Sequence, residues 1–334
     1  MKTIHRFIPP HLIWEAKKRV YQIIERTPTI KSEYLSNVID GNVYLKLENT
    51  QAISAFKVRG AANKILALSP EELQKGVTTF STGNHGLAVS YIAKKLGVKA
   101  VICMSSRVPQ AKLERIAELG AEIEIFGSSQ DDAKKRCDQL HEKEGLTIIP
   151  PFDDKDIISG QATIGLEILE DVPLIDCAIV PLSGGGLLAG VGYVLKNYNE
   201  TISISGVSME QGATMYESLK AGHPIEVMEV DTLADSLLGG IGLNNQYTFP
   251  LVQQLVDEVH LVSETDIAYS MGLLADKHRL IVEGAAATGV AALLHHKDRY
   301  KGKNVVLVIS GSNVDLKVIH QVIGQYLNQN QVIK

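Results

Sequence analysis

Short runs of apolar and β-branched residues alternate along this chain with longer segments whose apolar positions recur at helical spacing. The runs over 43–47 (VYLKL), 77–80, 100–104, 122–126, 175–181, 203–207 and 305–309 have the length and residue types of strands. Between them, 86–96, 110–119 and 131–144 follow the helical period. Alternation of this kind predicts the α/β class, with parallel sheets covered by helices.

The strand–helix unit repeats over 76–150, with turn signals at Gly97, Gly120 and Gly145. The Pro150-Pro151 pair ends it, because two successive prolines continue neither a helix nor a central strand. A second series of such units starts after Asp153. The pattern therefore predicts a small inserted domain over 76–150 and a large domain assembled from 1–75 and 151–334, with a cleft between them. No internal repeat, low-complexity tract or linker interrupts this organisation.

Composition narrows the picture. Hydrophobic residues make up 45% and charged residues 21%, as in ordinary globular proteins. Lys and Arg total 33 against 38 Asp and Glu, a formal charge of −5, and no basic run marks a nucleic-acid groove. Cys103, Cys137 and Cys177 are far apart and read as reduced, buried thiols. The N-terminal segment has no signal-peptide pattern, and apolar runs such as 305–309 are too short to cross a bilayer. A soluble cytoplasmic protein with no nucleic-acid or membrane partner is expected.

Four stretches carry chemistry. In Ser54-Ala55-Phe56-Lys57-Val58-Arg59-Gly60, a lysine opens a helix-like segment. The positive field of a helix start and partial desolvation both disfavour the ammonium and favour a nucleophilic amine, although most single lysines are simply exposed. Ser81-Thr82-Gly83-Asn84-His85-Gly86 is a strand-to-helix turn, either an anion site or an ordinary helix cap. Ser183-Gly184-Gly185-Gly186-Leu187 lets backbone approach a phosphate closely, unless its glycines serve helix–sheet packing alone. It lacks the spacing of dinucleotide and nucleoside-triphosphate loops. Ser310-Gly311-Ser312-Asn313 closes a strand, where ligands of open α/β sheets collect.

The order and spacing of these four stretches resemble the fold-type II pyridoxal-phosphate (PLP) enzymes of the threonine dehydratase and serine racemase group. The resemblance runs from RTPTIKSEYLS to SGSNVDL, nearly the whole chain. It implies a tryptophan synthase β-like fold, two open parallel-sheet domains with the cofactor in the cleft, and a homodimer. It implies that Lys57 holds pyridoxal 5'-phosphate as a Schiff base and acts as the base at Cα. It further implies that Asn84 bonds the ring 3-hydroxyl and that Ser183, Gly184, Gly185, Gly186 and Leu187 cradle the phosphate. Ser310 is implied to face the pyridine nitrogen, with Phe56 and Glu283 close to the ring. The resemblance also places Ser81, Thr82, Gly83 and His85 in the loop expected to receive the substrate carboxylate. The implied activity is elimination of water from a β-hydroxy amino acid, L-threonine or L-serine, giving a 2-oxo acid and ammonia.

Some positions depart from that pattern. Ser183 replaces the first of four glycines usual in the phosphate loop. Thr82 stands where serine racemase has a catalytic serine, which puts racemisation in doubt more than elimination. Gly206-Val207-Ser208-Met209 lacks the glutamate that opens the racemase cation site, so no metal is assigned. One helix follows SGSN, so no regulatory domain and no isoleucine feedback are expected. Segments such as GVSMEQGATMYESLKAGHP and TLADSLLGGIGLNN resemble the hydroxyectoine-utilisation dehydratase subgroup. That likeness makes a larger, hydroxyectoine-derived amino acid an alternative substrate, with Asp153 or Asp154 meeting an added cationic group. Amino-acid racemase is the other alternative. The glycines at 239, 240 and 242 argue for a roomy pocket.

Overall fold

Two parallel sheets organise the chain in the computed structural model, which describes residues 7–331 apart from Thr82, Arg107, Pro109 and Ser129. In chain order the strands are β1 (Thr29–Lys31), β2 (Asn42–Leu47), β3 (Val77–Thr79), β4 (Ala100–Met104) and β5 (Glu122–Ile125). They continue with β6 (Thr147–Ile148), β7 (Cys177–Pro181), β8 (Ser203–Met209), β9 (Glu258–Val262) and β10 (Asn304–Ile309). The six-stranded sheet has the order β1-β2-β10-β7-β8-β9, and the four-stranded sheet the order β5-β4-β3-β6. Every pairing is parallel except β1 with β2.

The central strands are apolar throughout because helices cover both faces. On β7 and β4 every residue is buried. One core packs Leu45, Ile179 and Leu307 against Ala286 and Val290; another packs Val180, Ile204 and Val308 against Leu188 and Val191. Val77, Ile102 and Met104 of the smaller sheet pack with Val58, Ile65 and Ile92 of two helices.

The helix Lys57–Leu66 lies beside the helix Lys155–Asp171, and their closeness is set by glycines. A Cβ on Gly160 would stand 2.6 Å from the Arg59 carbonyl oxygen, and one on Gly60 would strike the Gln161 amide. Behind this crossing sits a fully buried ionic cluster. Arg59 donates to Glu48 through Nε and Nη2, both at 2.8 Å, and to Glu167 at 2.6 and 2.9 Å. Lys46 adds a 2.5 Å pair to Glu167. Burial opposes the Arg59 charge, but the two glutamates outweigh it and leave the guanidinium more basic than usual. Burial would likewise raise Glu167, yet Arg59 and Lys46 hold it down at about 2. Such a cluster ties the lysine-bearing helix to β2 and to its neighbouring helix.

Candidate active site

The turn that introduces Lys57 is held against the end of β10. Phe56 N donates to the Ser310 carbonyl at 3.0 Å, Ser312 N donates to the Ser54 carbonyl at 2.9 Å, and Ala55 bridges Gly311. Ser54 adopts a left-handed backbone, with φ of 59°, to make this turn. The first and fourth chemical stretches of the sequence are thus laced together by backbone bonds.

All the described candidates converge on one cleft of about 270 Å³. Its wall includes Phe56, Lys57, Ser81, Gly83, Asn84, His85, the whole of Ser183, Gly184, Gly185, Gly186 and Leu187, and also Glu283 and Ser310. Thr82 lies outside the described residues. Parallel strands deliver their chain turns to one edge of a sheet, and here β3, β7 and β10 of two sheets open on the same cavity.

Lys57 is half-buried, and its Nζ donates to the Pro151 carbonyl at 2.7 Å. Desolvation lowers its pKa from 10.5 to about 8, only partly offset by the Glu283 carboxylate. A substantial amine fraction therefore exists near neutrality, as nucleophilic and base chemistry require.

His85 is 2% exposed and donates from Nε2 to the Ile149 carbonyl at 2.9 Å. Burial, and then the charge on Lys57, depress its pKa to about 3, so the ring is neutral. Its Nδ1 is a buried acceptor without a partner.

A second hydrogen-bonded group surrounds Glu283. Asn84 Nδ2 donates to both carboxylate oxygens at 3.0 and 3.1 Å, Ser236 Oγ donates at 2.7 Å and Asn313 N at 3.1 Å. Burial raises the Glu283 pKa, and these donors counter part of the rise. Asn313 Nδ2 in turn donates to Asn84 Oδ1 at 2.6 Å, which fixes the Asn84 amide in one orientation.

The glycine stretch forms the start of the helix Gly186–Tyr198. Gly185 is its cap with φ of 88°, and no side chain caps the helix. Its first internal bond runs from Ala189 N to the Gly185 carbonyl, so the preceding amides point out of the helix start without helical acceptors. A Cβ on Gly184 would collide with the Phe152 ring, and one on Gly185 would meet Met215 and Val252 at 2.9 Å. The glycines serve packing and amide presentation together. A phosphate suits this cradle, an amine-reactive aldehyde suits Lys57, and a neutral hydroxyl at Ser310 suits a ring nitrogen. The donor set therefore fits pyridoxal phosphate.

One expectation fails. The sequence offers Asp153 and Asp154 as partners for a substrate cation, but both are engaged by helix starts. Asp153 accepts from Gln246 N at 2.8 Å, Tyr247 N at 2.8 Å and Thr248 N at 2.9 Å. Asp154 caps the helix Lys155–Asp171 and pairs with Lys64 at 2.7 Å. By contrast, a Cβ added at Gly239, Gly240 or Gly242 would meet nothing within 4 Å.

The cavity wall also includes two residues outside the stretches marked in the sequence, Arg115 and Glu229. Asn313 stands in a turn that the sequence marks, and its neighbours give a signal for it. Arg115 has none, because an amphipathic pattern does not say which helix face meets a distant loop. Among the described residues, no cluster of three or more His, Cys, Asp or Glu forms a metal site. No helix among them is long and apolar enough to cross a membrane.

Comparison with known proteins agrees with this chemistry. The family model for pyridoxal-phosphate dependent enzymes matches residues 20–311. A putative threonine dehydratase of Sinorhizobium fredii is 47% identical over 93% of this chain and 94% of its own length. An L-threonine ammonia-lyase of Thermotoga maritima is 39% identical over 94% of this chain and 78% of its own. Among solved structures, maize serine racemase superposes with a TM-score of 0.89 at 34% identity, covering 97% of this chain and 99% of that one.

Proposed function

The chain belongs to the pyridoxal-phosphate dependent enzymes, and from that membership we propose that its cleft eliminates water from L-threonine or L-serine, the product then taking up water and releasing ammonia. It is a PLP-dependent lyase of the threonine dehydratase type, leaving a 2-oxo acid. The observation that carries the reading is the desolvated Lys57 amine, with a pKa of about 8, facing a glycine-lined helix start in the same cleft.

The residues divide the work. When bound, the cofactor supplies the electron sink for the pair left at Cα. Lys57 would hold it through its amine, and the same amine is placed to take the Cα proton. The Pro151 carbonyl, 2.7 Å from Nζ, keeps that amine at the cleft floor. Backbone amides of 183–187 receive the phosphate. Asn84, oriented by Glu283 and Asn313, would meet the ring hydroxyl with its amide. Ser310 offers a hydroxyl, which unlike a carboxylate does not demand a proton on a nitrogen facing it. Phe56, on the cavity wall, would flank the ring. The loop that contains Ser81, Thr82, Gly83 and His85 would receive the substrate carboxylate on backbone N–H groups at the start of the helix Asn84–Leu96, since the neutral His85 ring has no N–H to spare.

The two domains are 76–150 and the remainder, and a cytoplasmic homodimer is the expected form. Within the reading, a larger substrate of the hydroxyectoine-derived kind is supported by the open space at Gly239 and Gly240. Serine racemisation is the second activity to test, given 34% identity to maize serine racemase.

Assaying the purified holoenzyme with L-threonine, L-serine and longer β-hydroxy amino acids decides among these. Equal release of 2-oxo acid and ammonia from threonine or serine is expected. D-serine formed as fast as pyruvate would favour the racemase, and turnover of the longer substrate alone would favour the narrower dehydratase.

A further inference from the structure

The cleft contains an arginine that is not ion-paired with any carboxylate of the described residues. Each of the other described arginines is paired with a carboxylate: Arg19, Arg26, Arg59, Arg136, Arg279 and Arg299. Among the described residues, Arg115 alone is not. Its Nη2 donates at 2.7 Å to an amide oxygen, Oδ1 of Asn313, and its side chain stands on the wall of the cavity that Lys57 enters. A guanidinium has five donors in one plane, so most of this fork is left to solvent or ligand.

Asn313 makes the arrangement rigid. Its Nδ2 donates to Asn84 Oδ1 at 2.6 Å and to the Ile53 carbonyl at 2.9 Å, and its N–H donates to Glu283. Its orientation is thereby fixed, with Oδ1 left to accept from Arg115. The guanidinium is held at the rim by a residue that also fixes Asn84. Space lies within the same cavity, where Gly239 and Gly240 leave the volume of missing side chains open.

We propose that Arg115 is a specificity residue that receives an oxygen acceptor at the far end of a substrate longer than threonine. This rests on the elimination reading above. The acceptor is an amide or acyl oxygen, or a carboxylate, since the planar fork binds each. Charge favours the uncharged group: Glu229, Asp235 and Glu283 line the same cavity, and a cofactor phosphate adds to their sign.

The test compares wild type with Arg115→Met and Arg115→Lys in the holoenzyme. kcat/KM is measured for 3-hydroxyglutamine, 3-hydroxyglutamate and 3-hydroxynorvaline, which match in chain length and differ in the terminal group. The ratio of amide or acid to 3-hydroxynorvaline should fall about tenfold or more in Arg115→Met, chiefly through KM, as loss of a charged hydrogen bond predicts. Arg115→Lys should restore part of it. Preference for the amide names an acyl or amide substrate, and preference for the acid names a dicarboxylic one. An unchanged ratio in Arg115→Met would overturn the proposal, since a mere latch to Asn313 affects all three substrates alike. Binding of L-glutamine, L-glutamate and L-norvaline, followed by the cofactor's visible absorbance, gives the same ratio without turnover. If no β-hydroxy amino acid releases a 2-oxo acid, the elimination reading fails, and the binding ratio still judges Arg115.

Discussion

Lys57 and Arg59 lie two residues apart on one helix, the first half-buried on the cleft and the second fully buried, and their environments are opposite. Residues at that spacing point away from each other. Arg59 turns into the core, where Glu48 and Glu167 meet it with four hydrogen bonds and Lys46 balances the second glutamate. Lys57 turns into the cleft and finds one neutral acceptor, the Pro151 carbonyl. Burial with full pairing makes a cation more basic, and burial without it makes a cation give up its proton. The contrast separates structural charge from reactive charge within a single turn of helix. Arg59 anchors the helix from which Lys57 acts.

The largest effect that this contrast predicts is on turnover. Lys57→Ala should lower kcat for threonine by about 10³-fold or more, the upper range for a positioned base, while the unfolding midpoint of the apoprotein stays the same or rises. A variant retaining a tenth of wild-type turnover would show that another group takes the proton.

Arg59→Met should do the reverse to the fold. It leaves Glu48 and Glu167 buried with only Lys46 opposite them, a loss of about 3–5 kcal/mol for breaking such a cluster. Urea unfolding of the purified protein measures it. A change below about 1 kcal/mol would mean that the cluster is hydrated or rearranges.

A third experiment makes the Lys57 site resemble the Arg59 site. The rate at which apoprotein captures pyridoxal phosphate should rise with pH and level off above about 8, because the neutral amine attacks and the ammonium does not. Ser310→Asp adds a carboxylate to the same cavity and should move that plateau upward by about one pH unit. A wild-type rate still climbing at pH 10 would place the amine in water.

The smallest effect concerns His85, whose pKa falls from 6.5 to about 3 on folding. Between those values the unfolded chain binds a proton that the native chain does not. Native stability from this group is therefore lost as pH falls from 6.5 towards 3. His85→Asn should flatten that part of the stability–pH curve, and identical curves would imply that the ring is solvated.

Much of this was legible from the chain. The β7, β4 and β10 runs are apolar because both faces of those strands are covered, and uninterrupted apolar runs stand out. The strands that escaped notice are β1 and β6, which are too short to form a pattern, and β9, where Glu258 and His260 break the apolar run. Three of the four chemical stretches were visible because each is a small polar turn after a strand, and the parallel topology carries such turns to one edge. Asp153 was misjudged for a physical reason: the helix start that it caps lies 95 residues further on at Thr248. Arg115 was silent because its significance depends on Asn313, at the other end of the chain.

The central claim is that Lys57 is the amine that holds the cofactor. Borohydride reduction of the holoenzyme, digestion and mass spectrometry locate the pyridoxyl group on the chain. The account predicts it on Lys57, within the segment Ser54-Ala55-Phe56-Lys57-Val58-Arg59, and its disappearance in Lys57→Ala. A pyridoxyl group on any other lysine of the wild-type protein, or none at all, would contradict it.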